Sequence, residues 1–420
     1  MSYISKVFER LIYNRLFQYL NSTSLLSTKQ FGFQKGKSTA DAIINLTEYI
    51  YNSLDNLEHN VNIFIDLSKA FDTVNHNILL DKLQLYGIRG LPLCLLKSYL
   101  KDRKHFVRIS GTNSSTKTIN IGVPQGSILG PLLFLVYIND LPNVSESLTP
   151  VLFADDTTLS TSNSQYNLLV TDLNTQLEKI QNWTLANRLT VNVNKTIMML
   201  CSNRLANYTN SDIKIGTDNL TFSNSCTFLG IRIDNRLNFS EHISNVSSKI
   251  AKATGILYRI RKRLPPKARL NFYYAFIYPF LTYGVVVCGC TFSSHLEKLI
   301  VQHKRAIRII SDSDFYAHTT PLFHQLGLLK FPDIYRYFVA LYMYKSQTES
   351  LQTRQHRYET RNRDFIRPTF HRLTLSQHAL SFNGPSVWNS VPDSLKPIYT
   401  LPKFKHKLKS HFLMQCTSPL

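Results

Sequence analysis

An α+β fold is what this sequence predicts, on three observations. Short β-branched runs such as VNIFIDL (61–67) and VLFADDTTLS (151–160) read as strands, apolar residues recur at helical spacing in the segments between them, and hairpin-like polar inserts are mixed in throughout. Apolar residues make up 43% of the 420, enough for packed cores, which excludes disordered, collagen-like and low-complexity chains. At roughly 100 to 200 residues per domain the chain has room for two or three.

Taken in order, residues 1–20 place Ile4, Phe8, Leu11, Ile12, Leu16 and Leu20 on one helix face, which is expected to be buried. A basic loop, QFGFQKGKST, follows, with Ser38 or Thr39 expected to cap the helix ADAIINLTEYIYNSL. The strand VNIFIDL ends on Asp66 and leads to the helix NHNILLDKLQLYG, for which Asp72 is the expected cap. SGTNSSTKT reads as a hairpin tip, ILGPLLFLVYINDL as an apolar helix, and VLFADDTTLS as a strand pair turning at Asp155 and Asp156. The helix around residues 171–188 and the strand NKTIMMLCS complete this half.

Beyond Asn235 the texture changes. Ile243, Val246, Ile250, Ala253, Leu257, Ile260 and Leu264 mark one long amphipathic helix over 241–264, stopped by Pro265 and Pro266. Its other faces carry Lys249, Lys252, Arg259, Arg261, Lys262 and Arg263. An Arg-rich stretch from about 345 to 372 reads as an exposed linker, and 396–413 as a last basic helix with Leu401, Phe404, Leu408 and Phe412 on its apolar side.

Charge divides the chain unevenly. Of 48 Lys+Arg and 27 Asp+Glu (net +21), residues 1–235 hold 21 and 18, leaving 27 and 9 for residues 236–420. A near-neutral front (+3) precedes a strongly basic back (+18), which points to a polyanionic partner for the back. Six scattered cysteines argue for a reducing compartment rather than a disulfide framework, and Cys288 and Cys290 read as buried thiols in preference to a zinc pair. The uncharged segment 271–294 has the length of a membrane span, but its tyrosines, Pro279, Gly284 and Gly289 favour buried helix, so no membrane is expected as partner.

Asp66, Asp155 and Asp156 stand directly at strand ends. Like charges 4 Å apart repel by about 4 kcal/mol at an effective dielectric of 20, so acids gathered in this way normally mark divalent metal. Taken alone, the spacing fits a helix cap and a hairpin turn equally well.

The surrounding sequence separates these readings. FIDLSKAFDTVNHNILL, GVPQGSILGPLLFLVYINDLP, LFADDTTL, NVNKT and FLGIRID, in this order, resemble motifs A to E of the reverse transcriptase palm, with QFGFQKGKSTADAI similar to the fingers motif before them. The match resembles the jockey-type non-LTR retrotransposon enzymes in particular over about residues 1–330, and RPTFHRLTLSQHALSFNGPSVWNSVP is similar to their C-terminal region.

The resemblance implies a right-hand polymerase: partial fingers at 1–60, a palm with an antiparallel sheet at 61–235, a helical thumb at 236–330 and a basic helical C-terminal region at 331–420. It implies that Asp66, Asp155 and Asp156, with the carbonyl of Leu67, hold two Mg²⁺ ions. By the same resemblance, Phe71 is the gate beneath the nucleotide sugar, Gln125 and Gly126 lie at the nucleotide and template, and Lys195 is a proton donor to pyrophosphate. Lys35 and Lys37 are expected at the triphosphate or template, and the cations of the 241–264 helix along the duplex.

RNA template, DNA primer or target DNA and dNTPs are the implied partners, within a cytoplasmic ribonucleoprotein and at nuclear target DNA. The family's initial fingers segment and its endonuclease domain are expected to be missing before Met1. A rival expectation follows from that gap: an inactive remnant that binds RNA or DNA through its basic half.

Overall fold

The computed structural model describes residues 3–203, 213–349, 366–397 and 400–415. Arg354, Arg357, Arg361 and Arg363 of the expected linker, and Cys416, lie outside these residues; the start of that stretch, up to Glu349, is helical. Chain contacts divide the protein into two units, Met1–Leu46 with Asn56–Leu229, and Thr47–Asp55 with Gly230–Leu420.

The first unit is built on a four-stranded antiparallel sheet. Its strands are β1 (His59–Ile65), β2 (Thr149–Phe153), β3 (Asp156–Asn163) and β4 (Ile197–Cys201), in the order β2-β3-β1-β4. Central β1 pairs with β3 from His59↔Asn163 to Ile65↔Thr157, and with β4 from Asn60↔Cys201 to Phe64↔Ile197. Alternation along β1 puts Val61, Ile63 and Ile65 in the hydrophobic cluster, while Asn60 and Asn62 are buried as a hydrogen-bonded pair, Asn62 also accepting from Ser160 Oγ at 2.7 Å.

Helices enclose this sheet. They are α1 (Tyr3–Ser22), α2 (Thr39–Asp55, divided between the units), α3 (His76–Leu85), α4 (Leu91–Leu100), α5 (Gly130–Ile138) and α6 (Tyr166–Ala186). α5 is buried at every position but Pro131, as its all-apolar sequence requires, and α6 contributes Leu169, Leu173, Leu177 and Ile180. Ser38 closes a capping box at α2: its Oγ and N–H both donate to Asp41 Oδ2, at 2.6 and 2.7 Å.

Two expectations change here. In α1 the expected apolar face is buried only in its later turns, at Leu16 and Leu20, whereas Ile4, Phe8 and Leu11 are exposed and the buried residue of the first half is Glu9. The cap of α3 is Asn75, whose Oδ1 accepts from the N–H groups of Asn77 and Ile78, and Asp72 lies in the preceding 3₁₀ turn (Ala70–Asp72).

The second unit is helical: α7 (Ser240–Ile260), α8 (Pro266–Phe276), α9 (Tyr278–Thr282), α10 (Val285–Cys288), α11 (Ser293–Ile310), α12 (Thr319–Gln325), α13 (Phe331–Glu349), α14 (Leu380–Asn389) and α15 (Leu401–Gln415). α7 buries the expected face, Ile243, Val246, Ile250, Ala253 and Leu257, but ends at Ile260 in a 3₁₀ turn (Arg261–Arg263) before Pro266 opens α8. The span-length segment is broken into α8, α9 and α10 where Pro279 starts one helix and Gly284 turns at φ 67°. No helix among the described residues is long and apolar enough to cross a membrane.

α13, α14 and α15 meet around Phe404, which stacks on Tyr344 at 4.3 Å and touches Trp388 at 6.1 Å. The α2 tail is stitched to the C-terminal region by Leu373 N–H donating to Asp55 (2.8 Å) and Ser381 N–H donating to Glu48 (2.9 Å). Cys288 and Cys290 are thiols whose burial raises their pKa to about 12 and about 11, and Cys290 donates to the His378 carbonyl.

Two buried histidines make this unit acid-labile. Burial lowers His303 to about 3, its ring 2.9 Å from Tyr273 Oη; burial and then Lys249 lower His242 to about 4. Both are neutral when folded and take up protons near pH 6.5 when unfolded, so their stabilisation is complete above that pH and declines by about 1.4 kcal/mol per pH unit each below it. His303→Gln is expected to be less stable at pH 7, with the deficit shrinking by pH 4.5. Urea midpoints at the two pH values check this, and a constant deficit contradicts it.

Candidate active site

Asp66 is the first residue beyond β1. The register carries it one step past Ile65↔Thr157, opposite Asp156 at the start of β3. Residues 190–196 fix the same segment from its other side. Ser68 N–H donates to the Thr190 carbonyl (2.8 Å), Asn192 N–H to the Asp66 carbonyl (2.8 Å), and Asp66 N–H to Thr196 Oγ1 (3.5 Å). Leu67 faces Val191 between these bonds, so its own N–H and C=O point away from that segment.

Asp155 comes from the β2–β3 hairpin, whose last pair, Phe153↔Asp156, leaves a two-residue loop of Ala154 and Asp155. Ala154 sits at φ 57°, a conformation such loops need and glycine usually supplies; with a side chain it costs about 1–3 kcal/mol. What holds it is Gln30. That side chain is buried, and its Oε1 accepts from both Ala154 N–H (3.0 Å) and Gly32 N–H (2.8 Å). Residues 29–31 lie along β2 through Phe31 N–H to Leu152 O (2.7 Å) and Leu152 N–H to Lys29 O (3.0 Å). A Cβ on Gly32 would stand 2.4 Å from the Ala154 nitrogen, so only glycine permits the approach.

The loop at residues 122–127 is tied to the 3₁₀ turn that carries Phe71. Val123 N–H donates to the Phe71 carbonyl (2.9 Å), Gly122 N–H to Val74 O (2.7 Å), and Gln125 Nε2 to Asp72 Oδ1 (2.9 Å). Gly126 has φ 76° with nothing within 4 Å of a Cβ, so its backbone faces open space. Phe71 is half-buried, stacked on Phe134 at 4.3 Å and edge-on to Phe33 at 6.3 Å. Beneath the loop, buried Glu9 accepts from Ile128 N–H (2.7 Å) and Tyr99 Oη (3.2 Å).

Gln30 and Glu9 are the residues that sequence reading missed. Their partners lie 124 and 119 positions away, and nothing local sets them apart from the polar residues beside them.

The cations divide by what they hold. Lys195 Nζ lies 3.9 Å from Asp66 Oδ2 in an exposed pair, and Lys35 is exposed. Lys37 turns inward: its ammonium donates to the carbonyls of Thr28 and Gln30 (both 2.7 Å), and burial lowers its pKa against the opposing pull of Asp41. In the second unit Lys249, Lys252, Arg259, Lys262 and Arg263 are exposed, with Lys249 over the Phe280 ring. Arg261 is half-buried, stacked on Tyr258 at 3.7 Å and 3.6 Å from Asp312.

Asp156 is exposed by surface area, yet its carboxyl is raised above the ordinary aspartate value by partial burial, then by the charges of Asp155 and Asp66. Asp156 is therefore within electrostatic reach of both Asp155 and Asp66. Among the described residues no three His, Cys, Asp or Glu form a group that could hold a metal ion alone. Hard, mutually repelling oxygens still suit Mg²⁺, which keeps waters and completes its octahedron with substrate phosphate in place of an all-protein cage.

A raised carboxylate stabilises the fold only when protonated, an advantage lost as pH rises through its folded pKa. Without divalent metal, Asp156→Asn is therefore expected to melt above the wild type at pH 7.5, with no difference at pH 3. Added Mg²⁺ should raise the wild-type melting temperature and not that of the variant. A variant that melts lower at pH 7.5 in EDTA contradicts the arrangement.

Comparison with known proteins follows this geometry. The model of the family "Reverse transcriptase (RNA-dependent DNA polymerase)" matches residues 1–233. The "Probable RNA-directed DNA polymerase from transposon BS" of Drosophila melanogaster is 31% identical over 344 residues, covering 78% of this chain and 37% of that protein. The "RNA-directed DNA polymerase from mobile element jockey" is 29% identical in Drosophila melanogaster (81% and 38% covered) and 27% in Drosophila funebris (79% and 37%). The chain thus spans under two-fifths of the length of these relatives. Apo telomerase from Candida tropicalis aligns over 83% of this chain and 60% of its own at 13% identity, with a TM-score of 0.42, too loose a likeness to argue from. With one family model matching 233 of its 420 residues, the chain belongs to the reverse transcriptase (RNA-dependent DNA polymerase) family.

Proposed function

We propose that this chain is the RNA-directed DNA polymerase portion of a non-LTR retrotransposon protein, extending a DNA 3′-hydroxyl along an RNA template with dNTPs. The observation that carries the reading is the meeting of Asp66, Asp155 and Asp156 at one end of the sheet, inside the segment that the family model matches. In this reading the sheet unit is palm with fingers residues before it, and the residues after Asn235 are thumb and basic C-terminal region. The protein would work in a cytoplasmic ribonucleoprotein and at nuclear DNA.

Asp66, Asp155 and Asp156, with the Leu67 carbonyl, would hold two Mg²⁺ ions. Such ions, when bound, supply Lewis-acid polarisation of the α-phosphate and favour the ionised 3′-hydroxyl. The chain's own residues would do the rest. Phe71, braced by Phe134, presents a ring under the sugar that a 2′-hydroxyl would strike. Gln125 is positioned through Asp72, and Gly126 leaves backbone accessible to the nucleotide.

Lys195 is kept near the reacting phosphates by an exposed pair with Asp66, worth at most about 1 kcal/mol, weak enough to release the ammonium for proton donation to departing pyrophosphate. Lys35 would face the triphosphate or template, whereas Lys37 would act by shaping the loop. Lys249, Lys252, Arg259, Lys262 and Arg263 would follow the duplex backbone, with Arg261 fixing the turn at the end of α7.

Primer extension on an RNA template is the deciding assay. Wild-type protein is expected to extend, and Asp155→Asn to lose at least about 10²-fold in rate with its fold intact by circular dichroism. Extension by the variant at the wild-type rate would remove the carboxylates from the mechanism. Well-folded wild type that binds template and primer without extending it would instead favour an inactive nucleic-acid-binding remnant. Phe71→Val is expected to relax discrimination against rNTPs by about 10-fold or more, read as the ratio of kcat/KM for dNTP and rNTP. An unchanged ratio would exclude Phe71 as the gate.

A further inference from the structure

A second chemically distinctive place lies wholly within the helical unit. Lys304 and Arg308, one turn apart on α11, Lys330 just before α13, and the loop at residues 316–320 line a cavity of about 290 Å³. His318, Thr319, Thr320 and Tyr316 complete its polar wall, and no acidic side chain lines it.

Two of the acids nearby are engaged elsewhere, and a third, Asp314, is exposed and stands outside the cavity lining. Asp312 pairs with Arg261 (3.6 Å) and Arg269 (3.7 Å), and Asp333 with Arg336 (3.8 Å). Neither Lys304 nor Lys330 has an ion-pair partner among the described residues. Arg308 is held in place by Nε donating to the Ala317 carbonyl at 2.8 Å, which leaves the rest of its guanidinium for a ligand. Cations converging on a cavity without counter-charge favour an anion.

A second observation narrows the class of anion. Tyr316 lines the cavity yet is 89% exposed, and Phe315 beside it is 66% exposed, the two rings packed edge to face at 5.1 Å. Exposed aromatic faces beside a cationic groove are what single-stranded nucleic acid uses: phosphates meet the cations while an unpaired base stacks on a ring. A duplex offers no unpaired base, and a free phosphate no ring.

We propose that this cavity is a binding site for single-stranded nucleic acid, with Lys304, Arg308 and Lys330 receiving the phosphates and Tyr316 stacking a base. It is separate from the α7 cations, and it does not depend on polymerase activity. A chain that binds a strand here without extending a primer would sink the catalytic reading and leave this one standing.

Fluorescence anisotropy with the full chain tests it, using a labelled 12-nucleotide uridine-rich RNA and, in parallel, a blunt RNA hairpin of equal charge whose stem is closed by a non-nucleotide linker. Tyr316→Ala is expected to weaken binding of the single strand about tenfold and of the hairpin less than twofold, with Tyr316→Phe restoring the affinity. Lys304→Gln combined with Lys330→Gln should lower the log-log salt slope for the single strand by about 1.4. Inorganic phosphate at millimolar concentration should displace little RNA. Unchanged affinity in properly melting variants, or equal loss on strand and hairpin, overturns the proposal. So does efficient displacement by phosphate alone, which would mark a free-anion pocket.

Discussion

The carboxylate site depends on one turn of backbone that its own residue disfavours. Ala154 holds φ 57° between the two strands that deliver Asp155 and Asp156, braced by the buried Gln30 amide oxygen and the close Gly32 approach. The β1–β3 register then sets which residue faces Asp156, and a one-residue slip would replace Asp66 by Ile65 or Leu67. The partial burial of Asp156 and, after it, the neighbouring charges of Asp155 and Asp66, which together raise its carboxyl pKa, follow from hydrogen bonding elsewhere in the sheet. In the proposed reading, cations and phosphate would complete this strained and repulsive site.

The two units distribute chemistry by charge. Acids gather in the front half, whose net charge is +3, and among the described residues most cations of the +18 back half are exposed. Individual cations there differ. Arg261 pairs with Asp312 and stacks on Tyr258, while Lys252, Arg259, Lys262 and Arg263 remain at the surface, so the charge total overstates how much of it can meet a phosphate.

How much was legible in the sequence follows from the range of each interaction. The strands, the hairpin at Asp155 and Asp156, the apolar α5 and the buried face of α7 were all readable, because strand and helix periodicity is local. So was the break of the span-length segment at Pro279 and Gly284, since both residues act on their own backbone. Gln30, Glu9 and the Asp72–Gln125 bond were not, because each joins segments 53 to 124 residues apart and nothing in local spacing encodes them. Asp72 was the expected cap of α3; backbone placement gives that role to Asn75 and leaves Asp72 to hold Gln125. Lys37 was legible only as a basic loop residue; that its ammonium donates to carbonyls of its own loop was not.

The central claim is that Asp66 and Asp156, 90 residues apart in sequence, act as one cation site through the β1–β3 register. A double-mutant cycle on Mn²⁺ binding, read by electron paramagnetic resonance with Asp66→Asn, Asp156→Asn and both together, tests it most directly. The account predicts that each single change weakens binding and that the double change costs less than the sum of the two by at least about 0.5 kcal/mol. Strict additivity, or Mn²⁺ binding indifferent to either residue, would contradict it.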